Sequence, residues 1–586
     1  MKPSGARLGD FASIIVPYWT SERKWRARGL LCLILLLNTL IVATSVMFTV
    51  WQGAFFNSLE RKDWNAFISL LLWWRYTPSD GFAPSFAMNA LILIPATAYA
   101  GYLQQALQID WRKWHTDRCM DRWLTSQVYY RIELTDPSAD NPDQRISEDV
   151  RIFVDYTLTL GLGILNAVMT LISFVVVLWT LSKSVPMFGQ VVPGSLVWIA
   201  LLYAAVGTVL VHMVGRRLVG LRFFQQKVEA DFRFGLMRFR ENVEAVAFYR
   251  GEAAERADSG ARFRDIIRNW HALMSANRNL LFFTSGFGQI ALVFPLAVVA
   301  PAYFAGRIAL GGIFQTSNAF VQVQASLSWI VDNYGKVTEW VATMQRLARF
   351  DVALDRARDL TTGPTLETSP DRALSLAGLK LVLPDKRQLV GGFDLILRPG
   401  DRLLINGASG SGKSTLLRAI AGLWPFGEGA IECPVANRLF LPQRPYMPLG
   451  SLKRAVCYPA GEGEFADEVV AESLREAGLG HLAASLYEVD AWDRRLSGGE
   501  QQRIGLSRIL LLRPDWIFLD EATASLDPAS EEQFYLLLTS RLPDAVLVSI
   551  AHRTKAADFH NRTLTLEGGA ARASSTRRRA KEPASP

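Results

Sequence analysis

The sequence predicts a multidomain protein: an all-α transmembrane domain of six helices with long cytoplasmic helix extensions, followed by an α/β domain built around a P-loop. Three observations carry this. Half of the 586 residues are hydrophobic, only 20% are charged and the mean hydropathy is positive, which is high for a soluble enzyme. Six stretches reach the roughly 20 apolar residues that a helix needs to cross a bilayer. In the C-terminal part, short apolar strands alternate with helical patterns around a strand, a glycine-rich loop and a helix.

The expected boundaries run in order. An N-terminal segment, 1–28, precedes a transmembrane domain, 29–350, with spans near 29–51, 84–109, 157–181, 193–214, 279–306 and 308–331. A linker, 351–371, centred on "DLTTGPTLETSP", leads to a nucleotide-binding domain, 372–568, and a basic tail, 569–586, expected to be disordered. The first span is too long, and its basic lead-in too extended, for a cleaved signal. Lys and Arg set the orientation. The segments 1–28, 110–156 and 215–278 hold 26 of them, the alternate segments 5, so both termini and the long loops face the cytoplasm. The second long loop reads as continuous amphipathic helix, with Phe232, Leu236, Phe239, Val243 and Val246 at helical spacing. The net charge of +8 comes from residues beside the spans, not from a stripe on a soluble face, so a nucleic-acid partner is not expected; membrane lipid is. Cys32, Cys119, Cys433 and Cys457 are widely spaced and form no CxxC pair, which argues against a zinc site or a disulfide framework.

The chemistry is concentrated in the α/β domain. "LLINGASGSGKSTLLRAIAGLW" places a buried strand, Leu403 to Asn406, before Gly407, Ala408, Ser409, Gly410, Ser411, Gly412, Lys413, Ser414 and Thr415, and then a helix. Glycines let backbone amides curl around a triphosphate at a helix N-terminus, Lys413 reaches the outer phosphates and Ser414 binds Mg2+. "WIFLDEATASLD" ends a buried strand in Asp520, a carboxylate suited to Mg2+, with Glu521 beside it to orient or deprotonate an attacking water. ATP and Mg2+ are therefore the expected cofactors.

Between these lies "LSGGEQQR", which resembles the ABC-transporter signature. The resemblance implies a transmembrane domain of ABC-exporter type and an ATPase coupled to transport. It also implies that Ser497, Gly498 and Gly499 contact the ATP of the opposite subunit. Gln443 in "LPQRPY" matches the Q-loop, a Mg2+ and water contact; Asp527 matches the D-loop; His552 in "IAHR" matches the switch histidine at the γ-phosphate. Leu383 and Pro384 stand where many members stack adenine on an aromatic ring. One nucleotide-binding domain and six spans make half a transporter, so a homodimer with two-fold symmetry in the cytoplasmic (inner) membrane is expected. "YYRIELTDPSADNPDQRISEDV" and "EADFRFGLMRFRENVEAVAFYRGE" resemble the SbmA/BacA-like branch with a fused ATPase, and more distantly the peroxisomal fatty-acyl-CoA transporters. The Asn141-Pro142-Asp143 turn is expected to dock on the ATPase domain.

The sixth span is unusually polar. Gln315, Asn318, Gln322, Ser326 and Trp329 advance by three or four and share a face. Facing lipid they would be costly; they either bond to partner helices or line a wet cavity on the transport route, the reading preferred here. A wet, uncharged lining suits a hydrophilic or amphipathic cargo, peptide or cobalamin-like, taken up by ATP-driven transport. Transport or export of acyl compounds, or an ATPase sensor without cargo, are the alternatives.

Overall fold

The computed structural model describes residues 8–73, 75–77, 81–83, 85–135, 141–185, 192–360, 363–551 and 554–575. These form two compact units, 1–120 with 141–350 and 121–140 with 351–586.

The first unit is helical. α1 (Leu8–Thr20) precedes α2 (Lys24–Glu60), α3 (Trp64–Leu72) and α4 (Phe86–Leu124). Then come α5 (Val150–Ser182), α6 (Ser195–Glu241), α7 (Val243–Tyr249), α8 (Glu252–Phe304), α9 (Leu310–Asp332) and α10 (Tyr334–Arg358). At 1.5 Å per residue α6 and α8 run about 70 and 80 Å, more than twice the bilayer core, so they project well beyond it. Five described helices, α2, α4, α5, α6 and α8, are long and apolar enough to cross a membrane. The sixth expected span coincides with α9, whose amides and hydroxyls set it apart in composition. It packs against α2, α5, α6 and α8.

Three expectations are corrected. The second long loop is not one continuous helix. α6 stops at Asn242, and α7 ends at Arg250, which adopts the left-handed conformation (φ 52°) before Gly251. The break places Val243 and Val246 on α7, not on the helix that carries Phe232, Leu236 and Phe239. The linker contains a strand, β1 (Thr365–Ser369), whose β-branched and aliphatic residues are flanked by turn-forming ones that hid it. The basic tail begins with another strand, Ala570–Ser575; residues 576–586 lie outside the described residues. The N-terminal segment is likewise helical, as α1 and the start of α2.

Among the described residues the second unit holds two large sheets and a two-stranded one, Gly450–Ser451 with Val489–Asp490. β2 (Leu374–Val382), β3 (Gln388–Leu397) and β5 (Gly427–Pro434) join β1 in the order β1-β5-β2-β3. β4 (Arg402–Gly407), β6 (Arg438–Leu441), β7 (Trp516–Asp520), β8 (Val546–Ile550), β9 (Arg562–Glu567) and β10 (Ala570–Ser575) form the sheet β10-β9-β4-β8-β7-β6. All but β10 run parallel to their neighbours in this second sheet. The strands at its centre are buried on both faces, as the apolar run "WIFL" and the nearly apolar "VLVSI" require. One core lies between the sheets and includes Leu403, Leu416, Phe518 and Val548; Leu134, on the helix Val128–Thr135, packs against it. The opposite face is covered by Ile509, Phe534, Tyr535 and Leu538.

Candidate functional site

Four parallel strands bring the expected residues to one sheet edge. Ile405 of β4 lies beside Ile550 of β8, Ile550 beside Asp520 of β7, and Leu519 beside Leu441 of β6. The loops that leave these carboxyl ends carry the glycine-rich segment, Gln443, and the Asp520–Glu521 pair, and ligands of open α/β sheets bind at such an edge. His552, two residues after β8 in the sequence, lies outside the described residues.

The glycine-rich turn closes β4 onto α11 (Lys413–Ile420). At Gly407 (φ 150°) a Cβ would sit 2.3 Å from the Leu566 carbonyl oxygen; at Gly412 (φ 98°) it would meet Leu389 and Val390 at 2.9 Å. Only glycine tolerates both the backbone and the space. Ala408, Ser409 and Gly410 form an exposed rim. The Lys413 ammonium, nearly buried, donates to the carbonyls of Gly407 (2.8 Å) and Ala408 (2.9 Å). The Ser411 hydroxyl is buried and meets no partner among the described residues, a donor available to a phosphate oxygen. Thr415 occupies the first turn of α11.

Ser414 donates to Asp520 Oδ1 at 2.8 Å. Burial pushes the Asp520 carboxyl above its ordinary range, opposed by this hydrogen bond and by Lys413 and Arg418. A hydroxyl and a carboxylate so placed are hard oxygen donors that fit Mg2+. Next to them Glu521 is held left-handed (φ 51°), its amide bound to the Ile550 carbonyl (3.1 Å) and its Oε2 accepting from Gln443 Nε2 (3.2 Å). That pair joins a carboxylate able to orient water to the residue expected beside the metal.

The signature residues sit at the start of α12 (Gly498–Leu512). Ser497 and Glu500 form a reciprocal capping box: the Glu500 carboxylate accepts from the Ser497 amide (2.9 Å) and hydroxyl (2.8 Å), while Ser497 Oγ accepts from the Glu500 amide (3.3 Å). A Cβ on Gly498 would lie 3.2 Å from Ser525 Oγ, and one on Gly499 3.4 Å from the Ser525 carbonyl oxygen. Asp527 caps α13 (Pro528–Arg541), accepting from the amides of Ala529 and Ser530 (3.0 Å each) and from Ser530 Oγ (2.6 Å). These hydrogen bonds pull its carboxyl down to about 2.

Sequence reasoning missed the residue that ties these loops together. Gln502, 1% exposed, donates to the Gln443 carbonyl (3.2 Å) and accepts from the Ser525 amide (2.9 Å), linking the Gln443 loop to the segment before Asp527. Its signal was its place in "LSGGEQQR", one helical turn past Gly498. Arg508, also unforeseen, is buried and donates to the carbonyls of Tyr446 (2.6 Å) and Ala455 (3.0 and 2.6 Å), fixing the chain that follows Gln443.

The polar stripe of α9 is divided. Asn318 donates to Thr49 Oγ1 of α2 (2.8 Å), and the Gln315 side chain lies against Gly53. Trp329 covers Gly163 of α5, where a Cβ would come within 2.7 Å. Ser326 donates to the Gln322 carbonyl (2.8 Å) on its own helix. All five are half-buried in the single chain.

Family models match residues 13–304 as ABC transporter transmembrane region 2 and residues 390–524 as ABC transporter. An uncharacterized ABC transporter ATP-binding protein of Haemophilus influenzae is 34% identical, over 92% of this chain and 89% of its own. The lysosomal cobalamin transporter ABCD4 of Mus musculus is 27% identical, over 96% and 95% respectively. The solved structure of a bacterial Atm1-family ABC exporter with ATP bound superposes with a TM-score of 0.71 at 16% identity, covering 95% of this chain and 96% of that one.

Proposed function

The chain belongs to the ABC transporters, with membrane and ATP-binding halves fused, and from that membership we propose that two identical copies carry a hydrophilic or amphipathic solute across the cytoplasmic membrane. It is an ATP hydrolase coupled to transport, related to the D-type members and built on the fold of the Atm1-family exporter. A half-transporter works as a dimer. That the second copy is identical, that the cargo is peptide or cobalamin-like and that it is taken up belong to this proposal.

The observation that carries the catalytic reading is the pair of contacts Ser414–Asp520 and Gln443–Glu521 at one sheet edge. Lys413 and the amides of Gly407 to Gly412 would hold the triphosphate; Ser414, Asp520 and Gln443 would hold Mg2+, which neutralises developing phosphate charge when bound. Glu521 orients the water that attacks, and His552 would meet the γ-phosphate. By resemblance, Ser497, Gly498, Gly499 and Asp527 complete the site of the opposite copy. Closure of the two ATP-binding domains moves the projecting helices and changes the side on which the cavity opens.

The cargo reading is supported by the uncharged amides of α9 and by a relative whose name is that of a cobalamin transporter. Likeness to the SbmA/BacA-like branch supports uptake. Proteoliposomes with the ATPase facing outward, preloaded with labelled cobalamin or with a labelled peptide, test cargo and direction together. Uptake activity empties them when ATP is added outside. Accumulation from outside makes the protein an exporter, stimulation by acyl-CoA alone favours the acyl reading, and ATP hydrolysis without flux of any of these makes it a sensor.

A further inference from the structure

The first cytoplasmic projection is bolted to α10 by a ladder of polar contacts. At its base the Asp149 carboxylate, 1% exposed, accepts from Arg346 Nη2 (2.6 Å) and Nε (2.9 Å) and from Arg145 Nη1 (2.8 Å). Arg346 Nη2 also donates to Thr343 Oγ1 (2.9 Å). Seven residues along α5, Tyr156 donates to Glu339 (3.0 Å), which stands seven residues before Arg346 on α10. One residue further, Trp340 Nε1 donates to Thr157 Oγ1 (2.8 Å). Equal seven-residue steps in opposite chain directions describe two antiparallel helices in fixed register, with rungs about 10 Å apart.

The lowest rung is built differently from the others. A buried carboxylate held by the fork of one guanidinium and a nitrogen of a second resists shear in a way that a solvated pair does not. Losing one partner leaves a buried charge uncompensated. It also lies where the backbone is irregular: Arg145–Asp149 is a single π-helical turn between the Asn141-Pro142 turn and α5. Such turns reposition side chains at functional sites. The same α10 is gripped again near its end, within the second unit, where Arg122 of α4 donates to Asp351 (2.7 Å) and Asp355 (2.6 Å).

We propose that Asp149 and Arg346 are positioning residues that make α5 and α10 move as one body, so that ATP-driven motion reaches the membrane helices through this clamp. Neither touches nucleotide. The inference rests on the transport reading above, and the experiment separates the two.

In nanodiscs, with Cys32, Cys119, Cys433 and Cys457 replaced and a single Gln322→Cys reporter, labelling by a membrane-impermeant maleimide is compared with and without ATP and vanadate, beside the phosphate-release rate. The otherwise unmodified reporter protein changes its labelling on trapping; if it does not, the transport reading falls and the clamp with it. Asp149→Asn and Arg346→Met keep the ATPase rate within about twofold and cut the vanadate-dependent change about tenfold. Arg346→Lys, which keeps the charge without the fork, recovers part of it. The triple variant Arg145→Gln/Asp149→Asn/Arg346→Gln, which removes all three charges of the cluster together, folds with a melting temperature near the parent's and remains uncoupled. If all variants respond as the parent does, or if hydrolysis and labelling fall together with the melting temperature, the residues hold the fold and transmit nothing.

Discussion

At the scale of single residues, position on the sheet edge decides role. Glu521 lies beside Asp520, and while Asp520 accepts from Ser414, Glu521 accepts from Gln443. Removing its charge should therefore spare binding and stop turnover: Glu521→Gln should bind a fluorescent ATP analogue like the wild type and release phosphate about 100-fold more slowly or worse. Hydrolysis at the wild-type rate would reassign the general base. His560 gives a pH prediction. Its Nδ1 lies 2.6 Å from the Ala556 carbonyl and so carries the proton, leaving Nε2 to accept from Ser549 (2.9 Å). Burial lowers its pKa from 6.5 to about 4. The unfolded chain then takes up the proton first as pH falls. The stability this neutral ring contributes is whole above about pH 6.5 and is lost on acidification toward pH 4, about 3 kcal/mol in all. Thermal melting of His560→Gln between pH 7.5 and 4.5 should fall less steeply than that of the wild type; equal slopes would mean that the ring titrates freely.

At the scale of elements, the sequence spoke clearly where one periodicity or motif acted alone and poorly where two neighbours share a surface. β4, β7 and β8 were readable as apolar runs, and the glycine-rich turn followed from its spacing. β1 was lost because a five-residue strand among turn-formers has no period of its own, and the break at Asn242 was lost because apolar spacing continues across it. The polarity of α9 was visible; its use was not, because that depends on α2. Thr49, Gly53, Asn57 and Glu60 descend one face of α2 and meet Asn318, Gln315, Gly311 and Leu310 in reverse order. Asn57 Oδ1 and Glu60 Oε2 accept from the amides of Gly311 and Leu310 at 2.8 Å each, so one helix caps another. The approach needs glycine, since a Cβ at position 311 would lie 1.9 Å from the Gly53 carbonyl oxygen. Gly311→Ala should force α2 and α9 apart and cost about 2 kcal/mol or more, read as a lower melting temperature, while Gly312→Ala, with Ile308 at 3.6 Å as its nearest neighbour, should be neutral. Equal melting of the two variants would show that the seam yields.

At the scale of the whole molecule, the question is where an ATP site is completed. Within one chain, the glycine-rich turn, Asp520 and Glu521 share a sheet edge, whereas Gly498 and Gly499, beside Ser497, lie against Ser525, in the segment that ends in Asp527, and Gln502 ties that segment to the Gln443 loop. Arg503 adds to these contacts by donating to Ser530 (2.9 Å). If each site joins the phosphate-binding turn of one copy to the signature of the other, damage to the two parts should be separable between copies. Lys413→Ala removes phosphate binding and leaves the signature intact; Gly499→Arg does the reverse. Either variant alone is inactive. In dimers formed by co-expressing both, the intact turn of one copy faces the intact signature of the other, so one site of the two is whole. With random pairing half of the dimers are mixed, and ATPase should return to about a quarter of the wild-type rate. Differently tagged copies, purified in tandem to select mixed dimers, should double that figure. Were each chain to hold a complete site, both variants would have broken every copy, and no mixture would recover hydrolysis.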